Sequence, residues 1–183
     1  RLQRMDSVKE AGPLVEALAL ETGMSISVAI WGNLGPTVIR LEQPSRPLHI
    51  AVRVGTVMSV PNTATGRLFA AYLSPGETVS LIAQDALTYG GRPEDNKTSS
   101  VQDMQQLLAQ VRSREMSRTV DHPIPGITAL AAPVFNATGN LVLAVTVIGH
   151  SAVFDASWDG EIAASLRRCV TRISSNLGFH GMP

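Results

Sequence analysis

The sequence predicts an α+β domain in which an antiparallel β-sheet is flanked by α-helices. Three observations carry this reading. Segments of apolar and polar alternation come in pairs around turn residues, segments of helical periodicity stand before, between and after them, and the strands follow one another through hairpins. With 183 residues, 44% hydrophobic and 16% charged, the chain is long enough to bury a real core and has the size of one domain.

Val8, Leu14, Val15 and Leu18 recur at helical spacing and Gly23 follows at the left-handed cap position, which predicts a helix over roughly Val8–Thr22. A proline inside a helix removes a hydrogen bond and kinks it, so Pro13 places the helix start near Gly12. Residues 1–11 are accordingly read as the end of a linker and 12–183 as the domain. Met24–Trp31 alternates, with Ile26, Val28 and Ile30 on one side and Ser25, Ser27 and Ala29 on the other. Gly32, Asn33, Gly35 and Pro36 supply turn chemistry, and Thr37–Glu42 alternates again, completing a hairpin. A third short strand is expected at Leu48–Val54.

Asn62–Leu73 is rich in helix formers. Ser74, Pro75 and Glu77 then form a capping box that opens a second helix. Ser99 and Gln102 repeat the arrangement ahead of Val101, Met104, Leu107, Leu108 and Val111, which share one helical face. Thr88–Ser100 between them reads as a polar loop. Arg118–Asp121 returns to the sheet, and Ile127–Phe135 and Leu141–Ile148 are apolar strands joined by a hairpin through Asn136–Gly139. Ile162, Leu166, Cys169, Val170, Ile173 and Leu177 mark a closing amphipathic helix ended by Gly178.

Composition narrows the function. Lys+Arg and Asp+Glu both number 15, and the basic residues are scattered, so the patch that phosphate neutralisation needs is absent and direct nucleic-acid binding by this chain is not expected. Cys169 is the single cysteine, which excludes an internal disulfide and a multi-cysteine metal site and fits a reducing cytoplasm. The longest apolar stretch, Leu141–Ile148, falls far short of the ~20 residues of a membrane helix. His49, His122, His150 and His180 lack motif context, Cys169 lies on the apolar face of a helix, and no nucleophile, Walker, zinc-protease or dinucleotide motif is present. Neither an enzyme nor a cofactor is expected.

Two segments carry a specific likeness. The first is Ser59-Val60-Pro61-Asn62-Thr63-Ala64-Thr65-Gly66-Arg67 with its alanine- and leucine-rich continuation to Leu73; the second is Pro125-Gly126-Ile127-Thr128-Ala129-Leu130-Ala131-Ala132-Pro133-Val134-Phe135-Asn136. Together, in register, they resemble the two signature segments of the effector-binding domain of the IclR family of bacterial transcription regulators. The resemblance implies a GAF-like fold that agrees with the elements above. It further implies a ligand sensor that assembles as a homo-dimer or tetramer and reaches DNA only through a winged helix-turn-helix domain lying outside these residues. The rival is a GAF-type signalling or interaction module serving a different output domain.

A helix beginning near Asn62 or Thr63 presents unpaired N–H groups and the positive end of its dipole, a ready site for a carboxylate. The resemblance points to the same place, Asn62, Thr63 and Ala64, as the seat of a small organic acid. The plainer alternative is that Asn62 and Thr63 only cap their helix. If Asn136–Gly139 is a four-residue loop, Phe135 pairs with Asn140 and Ala129 lies opposite Thr146, with Ile148 two residues along. Ala131 and Ala144 on that face leave room for a ligand.

The resemblance implies that Ala129, Thr146 and Ile148 contact the effector and that Thr119 holds a position where an acidic residue often contributes. Ala129 and Ile148 stand where some relatives carry cysteine and serine, and Thr119 is uncharged. A drier pocket and a larger effector, such as an aromatic acid, are therefore expected. Ordinary sheet core is the alternative for these residues. Asp121 and His122 replace paired acidic residues of the family and read as a pocket rim or a solvated strand end.

Overall fold

Helix α1 runs over Leu2–Thr22 in the computed structural model, which describes residues 2–44, 48–88 and 101–181. It starts well before Gly12, and Pro13 lies inside it. Packing explains the difference. Pro13 is exposed, whereas Ala11, Val15 and Leu18 are at most 2% accessible; a mid-helix proline costs ~3 kcal/mol, and each large apolar side chain buried returns about 1.5–3 kcal/mol. Gly23 ends the helix as expected, at φ 66° with its N–H donating to Ala19 O.

Strands β1 (Ser25–Gly32) and β2 (Gly35–Glu42) form the first hairpin. Three helices follow: α2 (Ala64–Tyr72), α3 (Pro75–Thr88) and α4 (Val101–Arg114). Then come β3 (Ser117–Val120), β4 (Ile127–Phe135), β5 (Leu141–His150), a 3-10 turn at Ser151–Val153 and α5 (Glu161–Asn176). The strands make one antiparallel sheet in the order β2-β1-β5-β4-β3. None of the helices among the described residues is long and apolar enough to cross a membrane.

Alternation divides the sheet into two unlike faces. Ile26, Val28, Leu130, Ala132, Val134, Leu143, Val145 and Val147 form an aliphatic face packed against α1 and α5, where Leu166 and Ile173 are fully buried. The opposite face carries Ser25, Ser27, Ala29, Ala131, Ala144 and Thr146, all buried, and receives α2.

Several expectations are corrected. Leu48–Val54 is not a strand: Arg53 N–H donates to Thr56 Oγ1 and Thr56 N–H to Arg53 O, a tight turn through Gly55 at φ 94°. Only residues beyond it run beside β2, through an isolated bridge between Thr37 and Val57. Strand β3 stops at Val120 because Asp121 turns into the left-handed region at φ 54°. The box at Ser74 forms by half: Glu77 Oε2 accepts from both the N–H and Oγ of Ser74, while Glu77 N–H donates to the main-chain oxygen of Ser74 rather than to its hydroxyl. Ser99 and residues 89–100 of the expected polar loop lie outside the described residues.

Candidate functional site

The floor of the site is the small-residue face of the sheet. Ser27, Thr146, Ala131 and Ser117 form one row across β1, β5, β4 and β3, and Ser25, Ile148, Ala129 and Thr119 form the next. Ala129 is thus paired with Ile148 rather than with Thr146, and Phe135 with Leu141 rather than with Asn140. Two single-residue offsets cause the change. The loop takes five residues, held by Asn136 Oδ1 accepting from the N–H groups of Thr138 and Asn140, and Val142 is an extra residue bulged between Leu141 and Leu143. An even total offset keeps every side chain on its expected face, so Ala129, Thr146, Ile148 and Thr119 do share one surface.

The roof is α2, and its seating depends on glycine. Thr63 is the N-cap: its Oγ1 accepts from Gly66 N–H at 2.9 Å and donates to Ser59 O at 2.6 Å. A Cβ on Gly66 would lie 2.1 Å from Ser59 O and 2.5 Å from Val60 Cα, so no other residue lets the preceding loop approach this closely. The first main-chain helix bond runs from Arg67 N–H to Thr63 O. With Gly66 taken by the cap, the N–H groups of Ala64 and Thr65 precede any helical acceptor.

Three contacts give the direction of α2 over the sheet. Thr65 Oγ1 lies 2.7 Å from Thr146 Oγ1, Phe69 meets Trp31 with ring centroids 5.6 Å apart, and Tyr72 meets Phe135 edge-on at 5.4 Å. The helix runs from the level of Thr146 towards that of Phe135, which aims its N-terminal end at the row of Ile148, Ala129 and Thr119. In that row Ile148 and Thr119 are buried but Ala129, midway along the sheet, keeps partial exposure. Ala131 and Ala144 are not open: their small size admits α2 itself, against Ala64, Leu68 and Phe69. The arrangement sets a helix N-terminus, with roughly half a positive charge, over a partly open, mostly apolar floor.

The remaining expected residues sit at the periphery. Asn62 is half-buried just before the cap, and its Nδ2 donates to Asp85. Asp121 is exposed one row beyond Thr119; its Oδ1 accepts from Ser151 Oγ at 2.6 Å and Gly126 N–H at 3.1 Å, so the carboxylate braces the turn into β4. Arg67, half-buried, donates from Nε to Pro61 O, and burial lowers its pKa. Among the described residues no three His, Cys, Asp or Glu side chains come together to hold a metal ion.

Sequence reasoning passed over Thr65, Ser59 and Asp85. Thr65 is a polar residue on the inner face of a helix otherwise lined with alanine, leucine and phenylalanine, a signal that was there to be read. Asp85 gave none, because its partners are far away in sequence. The hydroxyls of Ser25, Ser27 and Ser117 are buried on the site's face without a partner.

The family model described as bacterial transcriptional regulator IclR C-terminal matches residues 1–175. The chain belongs to the IclR family. Relatives of this IclR domain are named as regulators rather than enzymes. The HTH-type transcriptional repressor AllR of Escherichia coli K12 is 24% identical over the whole chain, and the chain spans 66% of that protein. The crystal structure of Pseudomonas aeruginosa HmgR superposes with a TM-score of 0.83 at 30% identity, covering 99% of this chain and 72% of HmgR. Thermotoga maritima IclR shares the fold at a TM-score of 0.78 and 18% identity, over 94% of this chain and 69% of that one. The α+β architecture is therefore that of IclR C-terminal domains.

Proposed function

We propose that this IclR domain senses a small organic acid and thereby controls DNA binding by a helix-turn-helix segment outside these residues. The observation that carries the reading is the first turn of α2, whose Ala64 and Thr65 N–H groups precede any helical acceptor at the end of the helix nearer the row of the partly exposed Ala129. A carboxylate is the natural occupant of such a turn, with Asn62 and Thr63 shaping its edge. Ala129 and Ile148 offer apolar contact and Thr119 a hydroxyl, while the Thr146 hydroxyl at the inner edge is shared with Thr65, and none of the four is charged. That chemistry favours an aromatic acid over a very small keto-acid, with Asp121 at the outer rim.

The name of AllR, a helix-turn-helix repressor of which the chain spans 66%, supports placing DNA contact elsewhere in the full-length protein, in the cytoplasm. Residues 1–11, of which 2–11 belong to α1, would lead from that segment into the sensor. Self-association as a dimer or tetramer would pass the signal on, which requires the ligand to bind two assembly states with different affinity.

Thermal unfolding against a panel of keto-, hydroxy- and aromatic acids tests the reading. A ligand at ~100 times its Kd stabilises by about 2.7 kcal/mol, a rise in Tm of roughly 5–10 °C for a domain of this size. A class-selective rise supports the sensor; a flat panel of carboxylates counts against the anion seat.

A further inference from the structure

Asp85 is a carboxylate on α3 with only 9% of its surface accessible. Its Oδ2 accepts from Ser59 Oγ at 2.7 Å and from Asn62 Nδ2 at 3.3 Å, and Asn62 N–H donates to the same Ser59 Oγ at 3.3 Å. The three side chains close a small ring behind the turn that feeds α2. Among the described residues no Lys, Arg or His forms an ion pair with Asp85. A buried carboxylate held, among the described residues, by neutral donors is an expensive way to secure a turn, and it makes a difference to what Asn62 can do.

An asparagine placed just before a helix cap has an obvious alternative. Its side-chain oxygen accepts readily from the N–H two residues on, here Ala64, one of the two donors that a ligand needs. The bond from its Nδ2 to Asp85 instead ties the Asn62 amide to α3. We propose that Asp85 is a positioning residue of the anion site: it restrains Ser59 and Asn62 so that the Ala64 and Thr65 N–H groups stay available to an incoming carboxylate. The proposal deepens the sensor reading above and rests on it. Because Asp85 belongs to α3, the same bond links that helix to the turn a ligand would grip.

A double-mutant cycle on the full-length protein separates this role from plain charge or packing, since those contributions are common to both arms. Benzoate is the probe, titrated calorimetrically against wild type, Asp85→Ala, Asn62→Ala and the double variant. The change in Kd caused by Asp85→Ala is expected to differ roughly three- to tenfold between the Asn62 and Asn62→Ala backgrounds. Equal changes in the two backgrounds overturn the proposal.

Hydrogen exchange of the unliganded protein supplies a readout independent of any ligand. Asp85→Ala should slow exchange in peptides spanning Ala64 and Thr65 as the freed Asn62 oxygen takes a donor, and Asn62→Ala should abolish the slowing. Unchanged or faster exchange defeats the proposal. Slowing reversed by Asn62→Ala, with no carboxylate bound by wild type, would keep the tether and defeat the sensor reading instead. Asp85→Leu, which also removes the acceptor for Asn62 and fills the vacated space, serves in both measurements should Asp85→Ala not fold.

Discussion

The hydroxyl oxygens of Thr65 and Thr146 lie 2.7 Å apart, both residues 1% accessible, and bridge α2 to the middle of β5. Removing one partner strands the other in a dry environment, at a cost of about 1–3 kcal/mol. Thr146→Val should therefore lower stability by that amount in urea denaturation. The pair Thr65→Val/Thr146→Val should be less destabilising than the single change, because no hydroxyl is then left unpaired.

Gly66→Ala should destabilise although alanine is the better helix former by about 1 kcal/mol. The new Cβ would meet Ser59 O and Val60 Cα, and backbone cannot step aside as a flexible side chain would. A loss of about 1–3 kcal/mol is expected, seen as a Tm lower by roughly 2–10 °C. An unchanged or raised Tm would show that the loop before α2 is free to move.

Ala129→Leu tests the ligand seat directly. Ala129 keeps partial exposure on the face under the α2 N-terminus, so a larger side chain has somewhere to go in the unliganded protein. The Tm without ligand should stay within about 2 °C of wild type while the rise induced by the best carboxylate of the panel disappears. Retention of that rise would move the ligand elsewhere.

Tyr72→Phe should be neutral or stabilising, by up to about 1 kcal/mol. The Tyr72 hydroxyl is buried with no partner, and burial raises its pKa to about 12. Removing it ends an unmet hydrogen-bonding need and leaves the edge-on contact with Phe135 in place. Chemical denaturation gives the answer.

Burial in α5, reinforced by the nearby Glu21 carboxylate, pushes the Cys169 thiol up from 9.0 to about 11. Between those values the unfolded chain has released the proton and the folded chain keeps it. Cys169 thus favours folding below pH 9 and loses that contribution as the pH rises towards 11. A Cys169→Ser variant should show a shallower fall in stability across this window, followed by denaturation at successive pH values. In the native protein at pH 8, the thiol should resist aromatic disulfide reagents until the chain unfolds.

Much of the fold was legible because alternation and helical spacing are local properties. The two faces of β1 could be read from Ser25, Ser27 and Ala29 against Ile26 and Val28, and the structure keeps that division. What escaped reading depends on distant partners. Pro13 looks like a helix start until the burial of Ala11, Val15 and Leu18 is known. Leu48–Val54 has the residues of a strand, but the turn at Gly55 forms instead. Ala129 found its proper face yet the wrong neighbour, since the bulge at Val142 leaves no mark in composition. In the site, the sequence left Asn62 and Thr63 both open as caps and the structure gives the cap to Thr63, whereas Thr65 and Asp85 acquire meaning only when β5 and α3 are folded beside the α2 turn.

The strand order carries a consequence for how the molecule is made. Strand β1 leaves the ribosome early, but one of its two sheet neighbours is β5, which follows only after α2, α3, α4, β3 and β4. Until then the inner edge of the first hairpin has no mate, and a bare strand edge invites pairing with another chain. Nascent protein is accordingly most prone to aggregate just before β5 emerges. Truncations that end ahead of Leu141 should accumulate as insoluble material, while those that remove only the residues after α5 should not.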